Sequence, residues 1–120
     1  MYSEIIVANL LTCIDHINKI ESYSKSATDA KNFFEMNTGI NYDATLMRLQ
    51  ALGEAFKRIS QKYPEVITDL AYPEINSLIR FRDYVSHHYE QLEHEVIFDI
   101  CHHKLPDLKV KIEKLINSKS

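Results

Sequence analysis

The first strong apolar period along the chain runs Ile6, Leu10, Cys13, Ile14, Ile17 and Ile20. Steps of three and four place all of them on one helical face. The pattern predicts a first helix, with Ser3 positioned to cap it and the polar run over residues 21 to 28 to end it. Phe33, Phe34 and Met36, ahead of Gly39, predict a short helix within residues 28 to 37. A second long period, Leu46, Leu49, Gly53, Phe56, Ile59 and Tyr63, lasts about five turns. It comes after two candidate N-caps, Asn41 and Asp43, and closes at Pro64. Gly53 lies on the inner face, where a missing side chain lowers helix propensity but lets another backbone come close.

Pro73 suits the first turn of a third long helix, because its missing N–H would have been an orphan there. The inward stripe of that helix reads Ile75, Leu78, Ile79, position 82, Val85 and position 89. A last helical region begins near Leu92 and turns Val96, Ile100, Leu108, Ile112 and Leu115 inward, with a kink or restart at Pro106. Nowhere does strand-like alternation compete. The expected fold is all-α, an antiparallel, up-and-down bundle of four to five helices.

Composition changes this picture little. The chain has 120 residues, enough for one domain over positions 1–120, and only two Gly and three Pro interrupt it. Few breakers favour long helices. A net charge of -3 argues against a broad basic surface for nucleic acid, and the basic clusters at 48–62 and 104–119 read as solvated helix faces. No apolar run reaches the ~20 residues of a membrane span, and no signal peptide opens the chain, so the expected compartment is the cytoplasm. Cys13 and Cys101 form no C-x-x-C pair and read as reduced core residues.

Position 82 breaks the stripe, because it is Arg. A buried guanidinium must be paired or must reach out to water along its stem. Asp83, Glu90 or a carboxylate of another helix could meet it. Tyr89 is seven residues on and almost in line with Arg82, whereas His87 is turned by ~140° on a regular helix. Arg82 and His87 can converge only if the helix ends or distorts near His87, or if two copies of the helix meet. Other chemistry has less support. No helical H-x-x-x-H pair offers a metal site, and Cys101, His102 and His103 are consecutive and point apart. His16, His94, His102 and His103 read as surface or core residues. Ser86 lacks the surroundings of a hydrolase nucleophile, and no cofactor is expected.

Read together, Arg82, His87 and Tyr89 spell R-x-x-x-x-H-x-Y. With them the chain resembles the HepT-like toxins of the HEPN superfamily. The upstream segment ALGEAFKRIS, from Ala51 to Ser60, is similar to that family's G-E-A-x-K/R-x-I-S run. Tyr63-Pro64, Pro73-Glu74-Ile75, the string RFRDYVSHHY and Leu105-Pro106-x-Leu108 then come in order. Two positions depart: Glu74 stands where a Trp is common, and Asp83 where many relatives carry Asn. The resemblance implies a HEPN-like homodimer that cleaves RNA, with tRNA the suggested substrate, in a metal-independent endoribonuclease cleft between two R-x-x-x-x-H segments. His87 would be the general acid or base and Arg82 the phosphate holder, with Asp83 a polar neighbour pairing Arg82 or altering the charge of His87. It also implies a toxin–antitoxin pair in which a nucleotidyltransferase antitoxin places AMP on Tyr89. Two alternatives stand beside this: a non-catalytic module that binds a nucleotide or docks the nucleotidyltransferase, and a structural bundle with Arg82 in a buried ion pair.

Overall fold

The computed structural model describes residues 1–119. Its helices are α1 (Glu4–Ser24), α2 (Ala30–Glu35), α3 (Ile40–Lys62), α4 (Pro64–Leu70), α5 (Ile75–His88), α6 (His94–Asp99) and α7 (Leu105–Lys119). The all-α expectation holds, with α1, α3, α5 and α7 as the four long members. Ser3 caps α1 as expected, its hydroxyl accepting from the Ile6 amide at 3.3 Å. The polar run after residue 20 does not stop α1 at once. The helix continues to Ser24, whose hydroxyl is satisfied by the Ile20 carbonyl at 2.9 Å.

The corner between α2 and α3 is a 3₁₀ turn, Met36–Gly39, in which Asn37, Thr38 and Gly39 all have positive φ. Left-handed backbone is natural for Gly39 and costs the other two roughly 1–2 kcal/mol each. The corner starts α3 at Ile40, ahead of both expected caps. Asn41 instead donates its side-chain amide to the Tyr23 carbonyl at 2.9 Å, tying the start of α3 to the end of α1. Asp43 lies inside the first turn, free for another partner.

Cross-helix contacts fix the directions. His16 meets Arg48 near the middle of α1 and α3, and Asn41 meets Tyr23 at their paired ends, so these helices are antiparallel. The Tyr2 amide donates to the Lys119 carbonyl at 2.9 Å, while Lys109 approaches Glu21, so α7 runs antiparallel to α1. Between the helices lies one apolar core in which Leu10, Phe33, Leu49, Phe56, Leu108 and Ile112 are fully enclosed. Each such side chain contributes about 1.5–3 kcal/mol by leaving water.

Several sequence-based boundaries shift. Pro64 ends α3 but also opens α4, a short helix the periodicity did not predict, taking the first helical position where its missing N–H costs nothing. Pro73 lies in the turn before α5 rather than in its first turn. Val96 is 44% exposed, against the expectation that it faces inward, and Ile97 is buried in its place. α6 begins at His94, two residues later than expected, which changes the phase of the inward face. Pro106 does restart the last helix: a π turn, Ile100–Lys104, precedes α7. The wider turn relieves the clash between the proline ring and the carbonyl four residues before it.

Cys13 and Cys101 are free and buried, and burial pushes both thiols up to about 12. Among the described residues no helix is long and apolar enough to cross a membrane.

Candidate functional site at the seam of two helices

The seam between α3 and α5 is set by Gly53. A Cβ there would lie 3.0 Å from the Leu78 carbonyl oxygen and 3.5 Å from the Arg82 Cβ. The close approach read from the sequence is therefore real, and its partner is the helix that carries Arg82. With that crossing fixed, three pairs line up along the antiparallel seam. Glu54 faces Arg82, Gln50 faces Ser86, and Asp43 faces Tyr89. On α3, positions 43, 50 and 54 fall within roughly 40° of one line.

Arg82 is not buried. Its side chain is 42% exposed, so of the two outcomes weighed for it, a paired buried head or a head reaching water along its stem, the second applies. The stem packs at the Gly53 crossing while the head reaches the surface. Both foreseen kinds of partner are present. Asp83 Oδ1 accepts from Nη1 at 3.1 Å. Glu54 Oε2 lies 3.0 Å from Nε, a charge contact without hydrogen-bond alignment, and that oxygen is shut off from water. Two carboxylates thus contact Nε and Nη1, and no hydrogen bond engages Nη2 among the described residues.

His87 is exposed in the last turn of α5. Since α5 remains helical through His88, the ~140° offset from Arg82 persists within one chain. His88 is committed elsewhere. Its ring stacks on Tyr84 at 4.7 Å, and Nδ1 lies 3.0 Å from the Tyr84 carbonyl, to which an Nδ1–H tautomer donates. Both rings are exposed, and of the two His87 is the one without a hydrogen-bond or stacking partner among the described residues.

Tyr89 departs most from the sequence reading. It was expected on the inward stripe, but α5 stops one residue earlier, where the His88 backbone leaves the helical region, and a 3₁₀ turn, Tyr89–Gln91, succeeds it. Loss of helical phase releases the ring, which is 53% exposed. Its hydroxyl donates to Asp43 Oδ1 at 2.8 Å, and that bond, with burial and the Asp43 charge, raises the Tyr89 pKa above the ordinary phenol value. Tyr42 lies close behind. Its buried hydroxyl has no hydrogen-bond partner, and burial, then the nearby Tyr89, pushes its pKa up to about 12.

Sequence reasoning did not single out Glu54, Gln50 or Asp43 for the site. The signal was their common side of α3; reading it required the register that Gly53 imposes. The remaining histidines have structural employment, as expected. His16 lies against Arg48, and burial and then that cation lower its pKa. His94 stacks on Phe34, His102 reaches the Ser24 carbonyl, and His103 pairs with Asp99. A hollow of about 240 Å³ lies on another side of α5, among Leu78, Phe81, Val96, Ile100 and Leu105. None of Arg82, His87 and Tyr89 lines it.

The pattern of the family described as "Ribonuclease HepT-like" matches residues 13–115. A protein of Methanocaldococcus jannaschii, provisionally named an RNase, is 31% identical over 75 residues, covering 61% of this chain and 58% of its own length. The match therefore spans less than two thirds of that relative. No solved structure gives a significant match.

Proposed function

Because the chain belongs to the ribonuclease HepT-like family, we propose that it is a metal-independent endoribonuclease, the toxin of a toxin–antitoxin pair, with Arg82 and His87 as its catalytic residues. Cleavage requires the RNA 2'-hydroxyl to lose a proton, its oxygen to attack the adjacent phosphorus, and the departing 5'-oxygen to gain a proton. Imidazole, whose ordinary pKa is near ~6.5, can give and take protons at neutral pH, which suits the exposed His87 to this work. A guanidinium steadies the negative charge that grows on the phosphate, and the half-exposed Arg82 head suits that contact. The observation that carries this reading is the half-exposed Arg82 head, held against α3 while His87 stands exposed farther along the same helix.

The geometry also favours a site shared by two copies, because one α5 does not bring Arg82 and His87 together. Tyr89 is the expected acceptor of AMP from a cognate nucleotidyltransferase, and its exposed ring and surface hydroxyl suit that role. The RNA suggested by the resemblance is tRNA, and the cytoplasm is the compartment expected from the sequence pattern. The test expresses wild type, His87→Ala and Arg82→Ala separately and measures growth and RNA integrity. Wild type should degrade RNA and arrest growth, and each variant should lose ~100-fold or more in cleavage rate. Equal behaviour of all three would remove the catalytic assignment.

A second reading has its own observation. Glu54 and Asp83 both contact the Arg82 guanidinium, and Asp43 lies farther along the same seam. Such an acidic setting weakens attraction for RNA phosphates and suits a module that docks a nucleotidyltransferase or binds a nucleotide without cleaving. Nucleotide binding that survives His87→Ala, with no RNA cleavage by wild type, would favour it.

A further inference from the structure

We infer that Asp43 is a positioning residue for His87, acting through the Tyr89 hydroxyl. The proposal rests on the ribonuclease reading for its effect on rate, but the contact itself stands on geometry. The segment after α5 has few anchors near the site. The helix ends at His88, the 3₁₀ turn over Tyr89–Gln91 is exposed, and the next buried residue is Leu92. Between the Arg82–Glu54 contact and Leu92, two side-chain bonds tie this stretch to α3. Ser86 reaches Gln50 at a long 3.4 Å, whereas Tyr89 reaches Asp43 at 2.8 Å with a charged acceptor. The shorter, charge-assisted bond holds the last turn of α5, where His87 resides.

Asp43 suits this role for a second reason. It occupies the first turn of α3, where the helix dipole favours a carboxylate. Tyr89, two residues after His87, is long enough to reach it from the exposed turn. Any group attached to the Tyr89 oxygen removes the proton that makes this bond. If a nucleoside triphosphate is the donor, the Tyr89 oxygen forms a bond to the α-phosphorus, pyrophosphate leaves, and the hydroxyl proton passes to solvent. The new phosphodiester anion then faces the Asp43 carboxylate. Modification would therefore release the end of α5 as well as add bulk beside His87.

The test compares full-length wild type, Asp43→Ala, Asp43→Asn, Tyr89→Phe and the Asp43→Ala/Tyr89→Phe double variant. Both residues are exposed, and Asn keeps an oxygen that can accept the phenol proton. Amide exchange over residues 85–91 should accelerate ~10-fold in Asp43→Ala and Tyr89→Phe and stay within ~3-fold of wild type in Asp43→Asn. RNA cleavage should lose ~10-fold in kcat in both single variants, with KM within ~2-fold, and the double variant should be no worse than the poorer single one. Asp43→Asn should recover most of the rate. Unchanged exchange in both single variants, or Asp43→Asn as loose as Asp43→Ala, overturns the proposal. If exchange responds as expected while wild type cleaves no RNA, the positioning contact stands and the ribonuclease reading fails.

Discussion

Arg82 lies between two carboxylates at the surface, and the magnitudes there separate a structural role from a functional one. Exposed ion pairs contribute about 0–1 kcal/mol each. Removing the guanidinium leaves Glu54 Oε2 shielded from water without its cation, a penalty of about 1–3 kcal/mol that relaxation of a half-exposed side chain reduces. Leucine at position 82 would restore the apolar stripe against Gly53 and offset part of that loss. Arg82→Leu is therefore expected to change the unfolding free energy by no more than about 1 kcal/mol in a urea titration, while RNA cleavage falls ~100-fold or more. A stability loss above about 3 kcal/mol would assign Arg82 to a structural ion pair instead. The anomaly at this position was visible in the periodicity, and its neighbour Asp83 was a foreseeable partner. Glu54 was not, since it sits in a basic stretch of another helix and becomes a partner only in three dimensions.

The elements were legible where periodicity ran long and illegible where a few residues changed phase. The stripes over α1 and α3 identified buried Leu10, Ile17, Leu49 and Phe56 because each repeats over several turns. α4, the 3₁₀ turn after α5 and the π turn before α7 are too short to show a period, and each redirects the chain beyond it. The exposure of Tyr89 and Val96 results from such shifts. Gly53 gave the clearest link between the sequence and the packing of elements. Its crossing leaves a methyl group tight against the Leu78 carbonyl, since at 3.0 Å the facing backbone must give by a few tenths of an ångström. Gly53→Ala gains about 1 kcal/mol of helix propensity but must separate α3 from α5, with an overpacking cost of about 1–3 kcal/mol. A net loss of stability is expected by thermal or urea unfolding, together with weaker cleavage, because Glu54 and Arg82 would move apart. Increased stability would mean that α5 can shift without strain.

Across the whole molecule, the direction of α5 decides how a site can be completed. A regular helix keeps His87 ~140° from Arg82, and α5 stays helical through both, so the 3₁₀ turn comes too late to close the angle within one chain. The local charge leads the same way: Glu54 and Asp83 already attend Arg82, and a phosphate bound there would gain from a proton donor or cation supplied by a second copy. Under the proposed two-fold dimer both sites would be equivalent, each combining Arg82 of one chain with His87 of the other. Arg82→Ala and His87→Ala chains should then be inactive alone yet complement each other. After equal mixing and subunit exchange, about half of the dimers are mixed and one of their two sites is intact, giving about a quarter of the wild-type rate per chain. Each site confined to a single chain predicts no recovery at any mixing ratio, and a protein that scatters light as a monomer at micromolar concentration would leave His87 without the partner this geometry requires.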